Sequence, residues 1–197
     1  MPWRAMNRTR LGHVPILLTG LRAALGPLVV LVAYARPSGA AFGACLVFAF
    51  LSDIFDGVIA RRLDIATPRL RRLDSLADTV FYAGAALAIW HLYPDALRAR
   101  AGALGVLLAL EASRYLVDLA RFGREASYHM WSSKLWGLAL FAGCCSLLAF
   151  GIDSLAVDAA ILAGILCDLE GLAISFTLRT WHSDVPSIVH AWRIRGR

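Results

Sequence analysis

The sequence predicts an all-α, polytopic integral membrane protein of six transmembrane helices, with both the N- and C-termini cytoplasmic. Three observations carry that expectation. Of its 197 residues, 59% are hydrophobic and only 17% charged. Soluble globular domains run at about 45–50% and about 25%. A soluble core cannot absorb the excess without exposing large apolar patches, and disorder is excluded by the same figures. Second, apolar runs near the ~20 residues needed to cross a bilayer recur six times between turn signals. Third, the basic residues fall in alternate loops. The length suits a single domain, residues 1–197.

The first span is expected at about Val14–Ala35, ending in the turn Arg36-Pro37-Ser38-Gly39. Arg4, Arg8 and Arg10 precede it, and Ala33-Tyr34-Ala35 resembles a cleavage site. The run is nevertheless too long for a signal peptide and contains Arg22, so it reads as a retained span. The second span is expected at about 40–60. The third runs from about 74 to 93, stopping at Pro94-Asp95. The fourth covers about 99–120, the fifth 131–150 and the sixth 155–178, with Gly151-Ile152-Asp153 between the last two. Gly39 and Gly43 form a GxxxG pattern at the start of the second span, a spacing common by chance.

Placing the N-terminus in the cytoplasm puts Arg4, Arg8, Arg10, Arg61, Arg62, Arg69, Arg71, Arg72, Arg121, Arg124, Lys134, Arg179, Arg193, Arg195 and Arg197 inside. Only Arg36, Arg98 and Arg100 then lie outside, a strong positive-inside bias. Tyr34, Trp90 and Tyr93 fall at the outer interface, Trp131 and Trp181 at the inner one. The net charge of +6 suits an anionic membrane surface or substrate better than nucleic acid at this hydropathy. The tail around Trp192, Arg193 and Arg195 is expected to rest on anionic headgroups. Cys45, Cys144, Cys145 and Cys167 lie in apolar runs without metal spacing and read as small buried hydrophobes.

Four carboxylates break the apolar pattern. Asp53 and Asp56 stand i, i+3 at the end of the second span; Asp74 and Asp78 stand i, i+4 at the start of the third. Each pair shares a helix face. A charged side chain at the membrane centre costs about 2.5–3.5 kcal/mol, and the short connection brings both pairs to one depth. Such a cluster needs cations or protons. Hard oxygen donors without His or Cys point to Mg²⁺ or Mn²⁺, two ions balancing four charges. Asp74 is also placed to N-cap the third helix. Gly57 and Ala60 leave room for a flat ligand, and Arg61 can fork onto a phosphate. Metals, arginine and small residues together describe a site for a pyrophosphate-linked nucleotide.

The order Asp53, Asp56, Gly57, Ala60, Arg61, Asp74, Asp78 resembles the signature of the CDP-alcohol phosphotransferase (CDP-alcohol phosphatidyltransferase) family. Leu18-Thr19-Gly20-Leu21-Arg22 with Pro27 resembles the family's first-helix motif, and Ser133-Lys134 its basic turn. One position departs: Leu70 stands where the family signature has Gly. The resemblance implies transfer of a phosphatidyl (phospho-alcohol) group from a CDP-alcohol, first of all CDP-diacylglycerol, to an alcohol acceptor, releasing CMP in phospholipid biosynthesis. Glycerol 3-phosphate leads the acceptors, with inositol phosphate, serine and other alcohols open, as is a soluble CDP-alcohol donor with a lipid acceptor. It implies that Asp53, Asp56, Asp74 and Asp78 hold metal, with Asp78 also the catalytic base. Gly57, Ala60, Arg61, Thr67 and Thr19 would bind the CDP-alcohol. Arg22, Arg114, Arg121 and Lys134 are the candidates for the acceptor. A homodimer in a bacterial inner membrane, its site facing the cytoplasm, is likewise implied. Two rivals are a small cation or proton transporter using the same acids, and a catalytically silent homologue. The transporter needs a continuous polar path, yet the outer halves, 40–48 and 80–87, are almost wholly apolar. Leu70 is the only support for the silent homologue.

Arg114 lies one turn after Glu111 and is expected to pair with it. Asp118, Asp158, Asp168 and Glu170 are expected to form helix-facing pairs or end caps.

Overall fold

The computed structural model describes residues 13–63 and 67–196; Arg4, Arg8 and Arg10 lie outside them. The described chain is helical. In chain order the helices are α1 (Val14–Ala35), α2 (Gly39–Leu63), α3 (Pro68–Leu92), the short α4 (Pro94–Arg98), α5 (Ala101–Phe122), α6 (Trp131–Cys144), α7 (Leu155–Thr177) and α8 (Ile188–Arg195). A π turn, Cys145–Ala149, extends α6. Four of these have the length and apolarity to cross a membrane: α1, α2, α6 with its π turn, and α7. Helices α3 and α5 have the length, but Arg69, Arg71, Arg72, Asp74 and Asp78 in one, and Glu111, Arg114, Asp118 and Arg121 in the other, dilute their hydropathy.

Helix α3 begins six residues before the expected span and corrects one expectation. Pro68 occupies the first turn, where its missing N–H costs nothing. Thr67 is the N-cap: its Oγ1 accepts from Leu70 N at 3.2 Å. Asp74 therefore lies nearly two turns inside the helix and caps nothing. An apolar run marks only the lipid-facing part of a helix, so the arginine-rich first turn was invisible to it.

The helices group into two compact units. The first contains α1, α2 and α3 with Leu147–Ile152. Its packing is backbone on backbone. A Cβ built on Gly84 would lie 2.4 Å from the Gly26 carbonyl oxygen, and one on Gly26 would lie 2.6 Å from the Val80 carbonyl oxygen. Only glycine permits this approach of α1 to α3, the small-residue packing that membrane helices use in place of a hydrophobic drive. Gly39 plays the same part for α2: its Cβ would meet the Ala149 carbonyl oxygen at 2.3 Å, at the end of the π turn. The GxxxG start of α2 is thus a packing surface. Val29, Phe42, Leu46, Phe81, Ala85 and Ala88 fill the interior between these contacts.

The second unit contains α4, α5, α6, α7 and α8. Arg100 ties the start of α5 to that of α7, donating to both Asp158 oxygens at 2.7 and 3.0 Å and to Asp153 at 3.0 Å. At the other end, Tyr128, Met130, Ile174, Leu178, Val185 and Ala191 form a buried apolar cluster. Glu170 accepts from Ile188 N at 3.2 Å, at the start of α8. Asp118, 2% exposed, accepts from Ser175, whose hydroxyl lies 2.9 Å from that of Tyr128. The expected pairs and caps are therefore present. Among the four cysteines, all free, Cys45, Cys144 and Cys167 are buried and Cys145 half-buried.

Candidate active site

The site is built in the first unit, and helix geometry explains its convergence. Asp53 and Asp56 project from the last turns of α2, Asp74 and Asp78 from the first half of α3. Oxygens of Asp53, Asp56 and Asp74 all lie within 4.8 Å of one another. Asp56 is buried, while Asp53, Asp74 and Asp78 side chains remain 48, 36 and 40% exposed. The cluster thus has one sealed wall and an open side. Three converging carboxylates without nitrogen or sulfur donors suit a hard divalent cation such as Mg²⁺ or Mn²⁺.

Arg22 comes from α1 and is 1% exposed. Its Nη1 donates to Asp74 Oδ1 at 2.9 Å and to Asp78 Oδ1, and lies 3.1 Å from Asp53 Oδ1. Its Nη2 donates to Asp56 Oδ2, and its Nε to Ser52 Oγ at 3.4 Å. One guanidinium therefore touches all four carboxylates. Gly26 lies one turn further along α1, so the glycine contact with α3 sets the height at which Arg22 meets the acids. Thr19, buried on the same helix, donates to the Pro15 carbonyl at 2.9 Å and reaches Asp56 Oδ2 at 3.4 Å.

The remaining residues of the expected nucleotide site follow along α2 and into α3. Gly57 is half-buried and Ala60 buried, whereas Arg61 is exposed. A Cβ on Gly57 would lie 3.2 Å from Arg61 Nη1, so Gly57 leaves the space into which that guanidinium folds. Thr67 spends its hydroxyl on the α3 cap. Leu70 is half-buried in the first turn of α3.

The acceptor candidates other than Arg22 belong to the second unit and are engaged there. Arg114 donates to Glu111 at 3.0 Å, as expected, and also lies 3.3 Å from Asp168, which is 0% exposed. Arg121 donates to the Leu178 carbonyl at 3.1 Å. Lys134 Nζ stands 4.3 Å from the Trp131 ring centroid. His129 pairs with Asp184 at 2.9 Å. Sequence reasoning missed Ser52, Gly26 and Gly84. Ser52 had a signal, standing one turn before Asp56 on the same face. The two glycines had none until their helices were seen packed together.

A protein-family model, CDP-alcohol phosphatidyltransferase, matches residues 12–178. Among curated proteins, the CDP-diacylglycerol–glycerol-3-phosphate 3-phosphatidyltransferases of Escherichia coli (strain K12), Shigella flexneri serotype 5b and Shigella sonnei are similar to this chain. Each is 39% identical over 83 residues, covering 41% of this chain and 46% of the relative. The chain therefore spans about half the length of the curated relatives it matches. No solved structure matches it. The family match runs through both units and includes every member of the four-carboxylate cluster, and by it the chain belongs to the CDP-alcohol phosphatidyltransferase family.

Proposed function

We propose that this protein transfers a phosphatidyl group from CDP-diacylglycerol to an alcohol, with glycerol 3-phosphate as the acceptor, and releases CMP. The observation that carries the reading is the convergence of Asp53, Asp56, Asp74 and Asp78 in a chain of this family. The glycerol 3-phosphate acceptor rests on the partial relatives, whose names state that substrate. Six spans with cytoplasmic termini would set the open side of the acids toward the cytoplasm, in the inner membrane of a bacterium. Residues 1–197 would act as one domain and pair as a homodimer.

Phosphoryl transfer asks a protein for positioning and charge stabilisation. Asp53, Asp56 and Asp74 would hold Mg²⁺ or Mn²⁺, and Asp78 would complete a second site. Bound there, the cations supply charge neutralisation of the pyrophosphate and of the departing CMP oxygen. Asp78 has the exposure to meet an acceptor hydroxyl and take its proton as the oxygen attacks the β-phosphorus. The new P–O bond forms as the bond to the CMP phosphate oxygen breaks. Gly57 and Ala60 would let the nucleotide approach α2, with Arg61 on a phosphate oxygen and Thr67 and Thr19 at its margins.

The experiment is CMP release by the detergent-solubilised chain with CDP-diacylglycerol, Mg²⁺ and a panel of alcohols. Release with glycerol 3-phosphate, lost in Asp78→Asn and on chelation by EDTA, is the expected result. Release undiminished in Asp78→Asn removes the base, and release undiminished in EDTA removes the metals. Turnover with a different alcohol alone replaces the acceptor.

A further inference from the structure

Arg22 and a divalent cation lay claim to the same carboxylates. The three carboxylates that approach within 4.8 Å, Asp53, Asp56 and Asp74, are three of the four that the guanidinium contacts. A Mg²⁺ ion binds carboxylate oxygens at about 2.0–2.1 Å and demands near-octahedral geometry. A guanidinium that contacts the same carboxylates competes with such an ion for them. Its positive charge also repels the ion, most strongly on the sealed side beside buried Asp56, where screening is weakest. Arg22 is itself 1% exposed, so it is not a surface arginine that happens to lean inward. Its Nε contact to Ser52, 3.4 Å, holds the stem while the fork spans the acids.

We propose that Arg22 is an exchangeable internal counter-ion: it neutralises the carboxylates until a divalent cation takes them, and the cation must displace it to bind. This rests on the reading that the acids hold Mg²⁺ or Mn²⁺. The exchange is a side-chain movement, because the contact of Gly26 with Val80 and Gly84 pins the α1 backbone against α3. It makes Arg22 a positioning residue that sets cation affinity and assigns it to the carboxylates in place of the acceptor. It also gives the cluster a stable arrangement before any cation arrives. Four bare carboxylates would repel one another or take up protons. One guanidinium removes a quarter of that charge and leaves the rest to draw the cation in.

The test is Mn²⁺ binding to the full chain in detergent, read by electron paramagnetic resonance of the free ion, with no turnover required. Arg22→Gln removes the competing charge while keeping a polar side chain of similar reach. Its Mn²⁺ dissociation constant is expected to fall about tenfold or more. Its thermal unfolding should show a larger upward shift on adding Mg²⁺ than the wild type shows. Arg22→Lys keeps the charge but not the fork. It is expected to tighten Mn²⁺ binding by a smaller factor, and it carries the test if Arg22→Gln does not fold. Unchanged or weaker Mn²⁺ binding in the folded variants, beside clear binding by the wild type, overturns the counter-ion exchange and leaves the metal site standing. A wild type that binds no Mn²⁺ overturns both.

Discussion

Replacing Gly84 with Ala drives a methyl group into the backbone of α1. The new Cβ would sit 2.4 Å from the Gly26 carbonyl oxygen and 2.8 Å from its carbon. Ordinary van der Waals contact begins near 3.4 Å, so the helices must part by about 1 Å in a tightly packed interior. Overpacking of this kind costs about 1–3 kcal/mol. No flexible side chain takes up the clash, since both atoms are backbone, which places Gly84→Ala toward the upper part of that range. The active site feels the same displacement. Asp74 and Asp78 ride on α3, so a shift of that helix moves them relative to Asp53 and Asp56 on α2, whose oxygens now lie within 4.8 Å of those of Asp74. Misplacement on that scale can cost about 10²-fold in rate. The assay pairs thermal unfolding in detergent with CMP release. Gly20→Ala on α1 is the control, because a Cβ there meets nothing within 4 Å. It should be neutral or stabilise by up to ~1 kcal/mol through helix propensity. Gly84→Ala melting with the wild type and retaining kcat/KM within about twofold would refute the packing argument. So would an equal loss in both variants.

Two further outcomes separate structural from ligand roles. Thr67→Val should cost about 1 kcal/mol of stability by removing the α3 cap, and Thr67→Ser should restore it, both read by thermal unfolding. A rise in KM for the CDP-alcohol in Thr67→Val, measured where the variant is fully folded and reversed in Thr67→Ser, would assign the hydroxyl a nucleotide contact beyond the cap. Arg114→Gln leaves Asp168 buried without its counter-charge and should destabilise by about 3–5 kcal/mol. Arg114→Gln combined with Asp168→Asn should recover most of that loss, since the double variant buries no charge. Wild-type stability in Arg114→Gln with a raised KM for glycerol 3-phosphate would instead place Arg114 on the acceptor.

What was legible in the sequence is what a helix repeats locally. Asp53 with Asp56, and Asp74 with Asp78, share faces because the spacing within a helix is set by the backbone. Their meeting follows from the short connection between α2 and α3. The same holds for Arg114 with Glu111. Contacts across long stretches of sequence were not legible. Arg22 looked like a lone charge near the inner end of an apolar span, free to bind a ligand. Its place among the acids depends on how α1 lies against α3, and that depends on Gly26 and Gly84, far apart in the chain and silent in periodicity. Asp168 is likewise remote from Arg114, and nothing near either residue announces the other. The π turn after Cys144 left no mark because its residues, Cys145–Ala149, are as apolar as the helix they extend.

The expected helices that fall short of membrane apolarity are α3 and α5, and the reason is chemical. Helix α3 supplies Asp74 and Asp78 to the cluster, and α5 carries Glu111, Arg114 and Asp118 into the second unit. A helix that presents charge to an interior spends apolar positions to do so, and its hydropathy falls in proportion. Helix α2 carries Asp53 and Asp56 yet stays apolar enough, because residues 39–52 carry no charge and no other charge appears before Arg61. In α3 the acids follow directly on the arginine-rich first turn, so charge occupies much of the first half of the helix. Weak hydropathy in a helix flanked by strong spans is therefore a mark of charge held in an interior: in α5 the Arg114–Asp168 and Asp118–Ser175 contacts, in α3 the carboxylates that meet Arg22.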